Sequence, residues 1–74
     1  MSRKYFYETL AKLPAKYRIV LYLRYYEEYQ VKEIAAILHI LPNTVSARLT
    51  RAKKMMKQEI LKEMEDRYNE KSFI

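Results

Sequence analysis

Residues 42–57 read Pro42-Asn43-Thr44-Val45-Ser46-Ala47-Arg48-Leu49-Thr50-Arg51-Ala52-Lys53-Lys54-Met55-Met56-Lys57. No residue after Pro42 in this stretch breaks a helix, and proline itself suits a first helical position. An α-helix advances about 100° per residue, so with Val45 at zero, Leu49, Ala52 and Met56 fall within about 40° of it. Asn43, Ala47, Thr50 and Lys54 fall on the opposite side, between about 140° and 200° on the same scale. Arg51 and Lys57 flank that polar face, while Arg48 and Lys53 sit nearer the apolar one. One stripe is therefore built to pack, and the other is small, polar and bordered by cations. The stretch contains five basic side chains and no acidic one. A helix face that meets only water usually mixes signs; this one calls for a polyanion, and nucleic-acid phosphate fits best.

The composition agrees. The chain has 74 residues, half of them hydrophobic, enough for one small domain. With no cysteine there is neither a disulfide framework nor a thiolate metal site. With no glycine, phosphate-cradling loops and tight hairpins are disfavoured, because both need residues that take positive φ cheaply. The longest uncharged apolar runs, Ile19 to Leu23 and Ile34 to Leu38, fall far short of the roughly 20 residues that cross a bilayer. No signal-peptide pattern opens the chain, so a soluble cytoplasmic setting without membrane contact is expected. The net charge is +6, unevenly spread. Residues 1–57 carry twelve basic and four acidic side chains, whereas 58–74 carry three and five. The basic excess lies with the body and the C-terminal segment opposes it.

Outward from the decisive stretch, an all-α domain takes shape. Phe6, Leu10 and Leu13 recur at helical spacing, which predicts a first helix from Ser2, a candidate cap, to Leu13, ended by Pro14. A second helix is expected from Ala15 to Tyr26, with Ile19 to Leu23 buried on most sides. Glu27 to Gln30 reads as a polar turn. Val31, Ile34, Ala35 and Leu38 predict a short third helix. His39-Ile40-Leu41 interrupts, and the fourth helix runs from Pro42 to about Tyr68, leaving 69–74 as a frayed tail. Residues 1–68 would then form one four-helix domain.

Two helices joined by a three- or four-residue turn, the second with a polar outer face, describe a helix-turn-helix. Leu13-Pro14-Ala15-Lys16-Tyr17-Arg18, Val20-Leu21-Tyr22-Leu23-Arg24-Tyr25-Tyr26, Val31-Lys32-Glu33-Ile34-Ala35 and Asn43 to Lys54 together resemble region 4 of bacterial RNA polymerase sigma factors, most of all the extracytoplasmic-function type. The resemblance covers about residues 10–58. It implies a four-helix domain that binds the −35 promoter element and docks on the flap of the polymerase β subunit. Two positions depart from that pattern. The usual turn glycine is His39, which tolerates the left-handed region better than bulkier or β-branched residues. The usual helix-capping Ser or Thr is Leu41, a loss of about 1 kcal/mol that Pro42 offsets in part. Nothing resembles the promoter-melting domain that such sigma factors also carry, so the chain is expected to be an excised domain or a free-standing relative.

Other uses of these side chains are weaker. His39 is the only histidine and lacks the company a metal needs. Tyr17, Tyr22, Tyr25 and Tyr26 crowd one helix and suit a core with hydroxyls at its rim rather than base stacking. Met55, Met56 and Met64 could form an adaptable protein-binding surface, although Met56 lies on the packing stripe. Glu33 and the C-terminal acids read as solvated charge. No nucleophile–base pair and no acid–base constellation is present, so neither an enzyme nor a cofactor is expected.

The expected DNA contacts follow. Asn43, Ser46, Ala47 and Thr50 face bases, because asparagine can pair adenine bidentately and alanine or a threonine methyl can touch a thymine methyl. Lys32, Arg48, Arg51, Lys53 and Lys54 meet phosphates, with Thr44 helping at the helix start, where the dipole also favours an anion. Two alternatives remain. The basic face could bind an acidic protein, such as an anti-sigma factor or a polymerase subunit. Or the chain could be a stand-alone helix-turn-helix regulator that dimerises through Gln58 to Tyr68.

Overall fold

The computed structural model describes the backbone of residues 3–72 and the side chains of 4–66. Among the described residues there are four α-helices and no strand: α1 (Arg3–Leu10), α2 (Ala15–Leu21), α3 (Val31–Leu38) and α4 (Pro42–Ser72). The expected all-α, helix-turn-helix architecture is what forms, with differences at several helix ends. The proposed cap Ser2 lies outside the described residues.

α1 stops at Leu10, not Leu13. A residue before proline is pushed out of the α region, so the chain tightens ahead of Pro14. Lys12 N–H donates to the Thr9 carbonyl and Leu13 N–H to the Leu10 carbonyl, each at 3.1 Å. Leu13 still reaches the core, as its spacing requires. Pro14 caps α2. With ψ at 148° it is extended, and its carbonyl accepts from Tyr17 and Arg18 N–H at 3.0 Å.

The second helix does reach Tyr26, but its last turn widens into a π-turn over Tyr22–Tyr26, where Glu27 N–H donates to the Tyr22 carbonyl. Glu28 then takes a left-handed conformation (φ 63°), and Tyr29 N–H bonds back to the Leu23 carbonyl at 3.0 Å. Burial on this helix is narrower than its composition suggests. Tyr17, Val20, Leu21 and Leu23 are buried, but Ile19, Tyr25 and Tyr26 are exposed and Tyr22 is half-buried. A helix at the edge of so small a body has one face to bury, and these side chains fall outside it. Tyr25 and Tyr26 are thus not core residues.

α3 begins with a carboxylate cap: Gln30 N–H donates to Glu33 Oε1 at 2.9 Å. Glu33 is therefore more than solvated charge, since it satisfies one of the open donors of the helix start. α3 ends at His39, whose φ of 57° and ψ of 43° are left-handed, as expected. The Ile40 N–H bonds back to the Ala35 carbonyl at 3.1 Å, closing the helix as a glycine cap would. Leu41 offers no side-chain cap, but its carbonyl accepts from Thr44 and Val45 N–H at 3.0 and 3.1 Å.

α4 extends to Ser72, so residues 69–72 are helical where a frayed tail was expected; 73 and 74 lie outside the described residues. Its 31 residues span about 46 Å at 1.5 Å each, which accounts for the long 51 Å axis of the molecule. Only the first half packs into the core. Val45, Leu49, Ala52 and Met56 join Leu10, Leu13, Val20 and Ile34 there, and Val20, Ile34 and Val45 are fully buried. Each such aliphatic side chain contributes roughly 1.5–3 kcal/mol on burial. That packing sets α4 firmly against α2 and α3 and turns its other face outward.

Candidate nucleic-acid interface

With the Val45–Met56 stripe buried, Asn43, Ser46, Ala47, Thr50 and Lys54 are exposed on the remaining surface of α4. The Thr50 hydroxyl donates to the Ser46 carbonyl at 3.1 Å, so its proton is committed and it offers outward a methyl and acceptor lone pairs. Thr44 and Arg48 are half-buried along one flank, and exposed Arg51 lies on the same side.

Across that flank stands the start of α2. Lys16 and Tyr17 from α2, with Asn43, Thr44, Ala47, Arg48 and Arg51 from α4, line one groove that contains no acidic side chain. Arg51 Nη1 donates to the Tyr17 hydroxyl at 3.3 Å, and Lys16 Nζ stands 5.1 Å from the centre of the Tyr17 ring. The Arg51 hydrogen bond holds the Tyr17 phenol below the ordinary tyrosine range, against the opposing effect of burial, and the Lys16 charge adds to the lowering. The same contact raises Arg51, which stays cationic. Tyr22 moves the other way, because its hydroxyl donates to the Glu27 carboxylate at 3.0 Å.

The structure does not gather all the expected contacts in one place. Asn43, Thr44, Ala47, Arg48 and Arg51 come together; Ser46, Thr50 and Lys54 lie on the exposed face beside them. Lys32 is exposed in the first turn of α3. Lys53 points to the other flank, with Nζ 5.4 Å from the Tyr25 ring. There, Lys53 and Lys57 rim an apolar groove lined by Phe6, Leu21, Tyr25, Met56, Ile60 and Leu61. Lys16 and Tyr17 are members of the site that sequence reasoning missed. Their proximity to Arg51 spans 34 positions of sequence and depends on how α2 packs on α4. The one available signal is that Lys16 opens a helix just after Pro14, with no acid nearby to pair it.

Comparison with known proteins agrees with the helix-turn-helix fold. The profile of the family described as sigma-70, region 4 matches residues 3–56. Over 57 residues, 77% of the chain, the sequence is 40% identical to the RNA polymerase sigma factor SigV of Bacillus subtilis (strain 168). The aligned part covers 34% of that relative's length. No helix among the described residues is long and apolar enough to cross a membrane. On the matched residues and the helix-turn-helix they build, the chain belongs to the sigma-70 region 4 family.

Proposed function

We propose that this domain binds duplex promoter DNA at the −35 element, as region 4 of a sigma factor that brings RNA polymerase to its start sites. The observation that carries the reading is the outer face of α4: exposed, acid-free and fixed by the buried Val45–Met56 stripe behind it. The major groove is about 12 Å wide and admits one α-helix. With the start of α4 inserted there, Asn43, Ser46, Ala47 and Thr50 reach base edges. Arg48, Arg51 and Lys54 reach the phosphates alongside, Thr44 supports them at the helix start, and Lys32 and Lys53 extend the contact to either side. Base contacts supply the sequence preference; phosphate contacts supply register and most of the affinity.

The apolar groove between α1, α2 and α4 supports a protein contact at the same time. It lies on the Lys53 flank, beside the base-facing stripe, so a polymerase segment such as the β flap, or an anti-sigma factor, could seat there while DNA is held. Salt titration tests the reading. With about five cations at phosphates, log K should fall against log[salt] with a slope of roughly −4 to −5. A slope near zero on every duplex would transfer the basic face to a protein partner and overturn it.

A further inference from the structure

We infer that Lys16, Arg48 and Arg51 form a single binding site for one DNA backbone phosphate, with Tyr17 as the positioning residue that aims Arg51 into it. This rests on the DNA-binding reading above and adds to it a specific site that joins α2 to α4. Three cations from two helices line one groove with no carboxylate among them. Like charges brought together without a counter-ion destabilise the fold unless an anion joins them, and phosphate is the anion a duplex supplies at regular spacing. Asn43 and Thr44 line the same groove, so an anion there would also meet neutral hydrogen-bonding groups at the start of α4.

Tyr17 makes the site more than a cluster of flexible side chains. Its ring is buried in the core beside Leu13 and Val20, while its hydroxyl lies at the groove and accepts from Arg51 Nη1 at 3.3 Å. A buried ring is a fixed post. A guanidinium held on it loses less freedom when phosphate arrives than one that sweeps through solvent. The phenol can take that role only while it is neutral. Ionised, it becomes a counter-charge to Arg51 and competes with phosphate. The groups facing it are all cationic, Arg51 on α4 and Lys16 on α2, and they push the phenol toward ionisation. Duplex affinity should therefore fall as pH rises toward the tyrosine range, and fall earlier than an ordinary tyrosine would cause.

The test uses a short labelled duplex of random sequence, because phosphate contacts do not read bases. Lys16→Ala should flatten the salt slope by about one unit. Tyr17→Phe keeps the ring and removes the acceptor; it should weaken binding about 2- to 10-fold, the range expected when one ordered side chain is released. It should do so with little change in melting temperature, and it should have no further effect in an Arg51→Ala background. As pH rises toward the tyrosine range, wild-type affinity should drop more than that of Tyr17→Phe, whose ring cannot ionise. If the wild type binds with a steep salt slope but Lys16→Ala and Tyr17→Phe match it in slope, affinity and pH profile, the site is wrong and the DNA-binding reading stands. If the wild type shows no salt-dependent binding, both fall. Lys16 is exposed, so Lys16→Ala decides between these outcomes even if Tyr17→Phe melts early.

Discussion

The two halves of α4 form one unbroken helix, yet different forces hold them. From Pro42 to Met56 one stripe is buried in the core, the outer face is acid-free, and tertiary packing fixes which is which. Beyond Lys57 no described side chain of the helix is buried, and Ile60 is only half-buried beside Phe6 and Leu21. Leu61 and Met64 are 53% and 59% exposed, and Glu59, Glu63, Glu65 and Asp66 bring in the acids that the first half lacks. The outer half persists on local terms: Lys, Glu, Met and Leu are strong helix formers, and Glu59 and Lys62 stand at a favourable i, i+3 spacing. Helix formation and helix function are thus written separately along the same element. The near half carries the proposed DNA-binding site, and the far half extends the rod.

The sharpest way to break this contrast is to remove packing from each side of it. Ile34 is fully buried against the near half, so Ile34→Ala should cost about 2–5 kcal/mol, a large share of what a domain of this size possesses. Leu61→Ala in the far half should cost no more than about 0.5 kcal/mol. Urea denaturation followed by circular dichroism would measure both. Comparable losses would mean that the far half belongs to the core.

The next largest effects concern DNA. Asn43→Ala should cost about 1–3 kcal/mol on the preferred duplex and little on random sequence. Arg51→Ala should weaken binding to both alike and flatten the salt slope by about one unit. Lys62→Ala, on the far half, should leave slope and affinity where they were. Equal losses on specific and random duplexes for Asn43→Ala and Arg51→Ala would sink the division of α4 into a reading face and a positioning flank.

Much of the near half was legible in the sequence because its evidence is local. A 3.6-residue period separates the Val45 stripe from the Asn43 face without any knowledge of neighbours. The α3 boundaries followed for the same reason, whereas the left-handed His39 was expected from the family resemblance, which has glycine there. Contacts between helices were not legible. That Lys16 and Tyr17 meet Arg51 depends on the angle at which α2 crosses α4. Helix ends were also set by exchanges that the pattern hides. α1 stops three residues short of Leu13, in tight turns ahead of Pro14, and Glu33 caps α3 through a side chain that reads like any surface acid. Tyr25 and Tyr26 in the π-turn misled for a related reason: their apolar bulk suggests burial, but so small a body has too little interior to hold them all.

A smaller effect tests how the chain enters the near half. His39 is left-handed, with φ at 57°, and strain of order 1 kcal/mol is expected for a side chain there. His39→Gly removes that strain, while the freer unfolded chain offsets it by about 0.4–1 kcal/mol. Thermal melts should therefore show the variant equal to wild type or slightly more stable, with DNA affinity little changed. Glu28→Gly, at φ 63°, should behave alike. Loss of DNA binding by His39→Gly without loss of stability would instead give the imidazole a phosphate-binding role.

The weakest link to test is the one that ties the far half to the body. Lys12 Nζ and Glu63 Oε2, 3.4 Å apart, form an ion pair between the loop after α1 and the far half of α4, with side chains 51% and 36% exposed. Charges this open gain little from pairing: water screens them, and two long side chains lose freedom to meet. Glu63 has a further interaction, so a single substitution would report more than the pair. A double-mutant cycle with Lys12→Ala and Glu63→Gln isolates it. The coupling should be at most about 0.5 kcal/mol at low salt. It should vanish at 1 M salt, where the screening length is about 3 Å. A coupling above about 1 kcal/mol that survives high salt would mean the pair is shielded from solvent. The far half would then be docked as firmly as the near half, and the two would differ in charge alone.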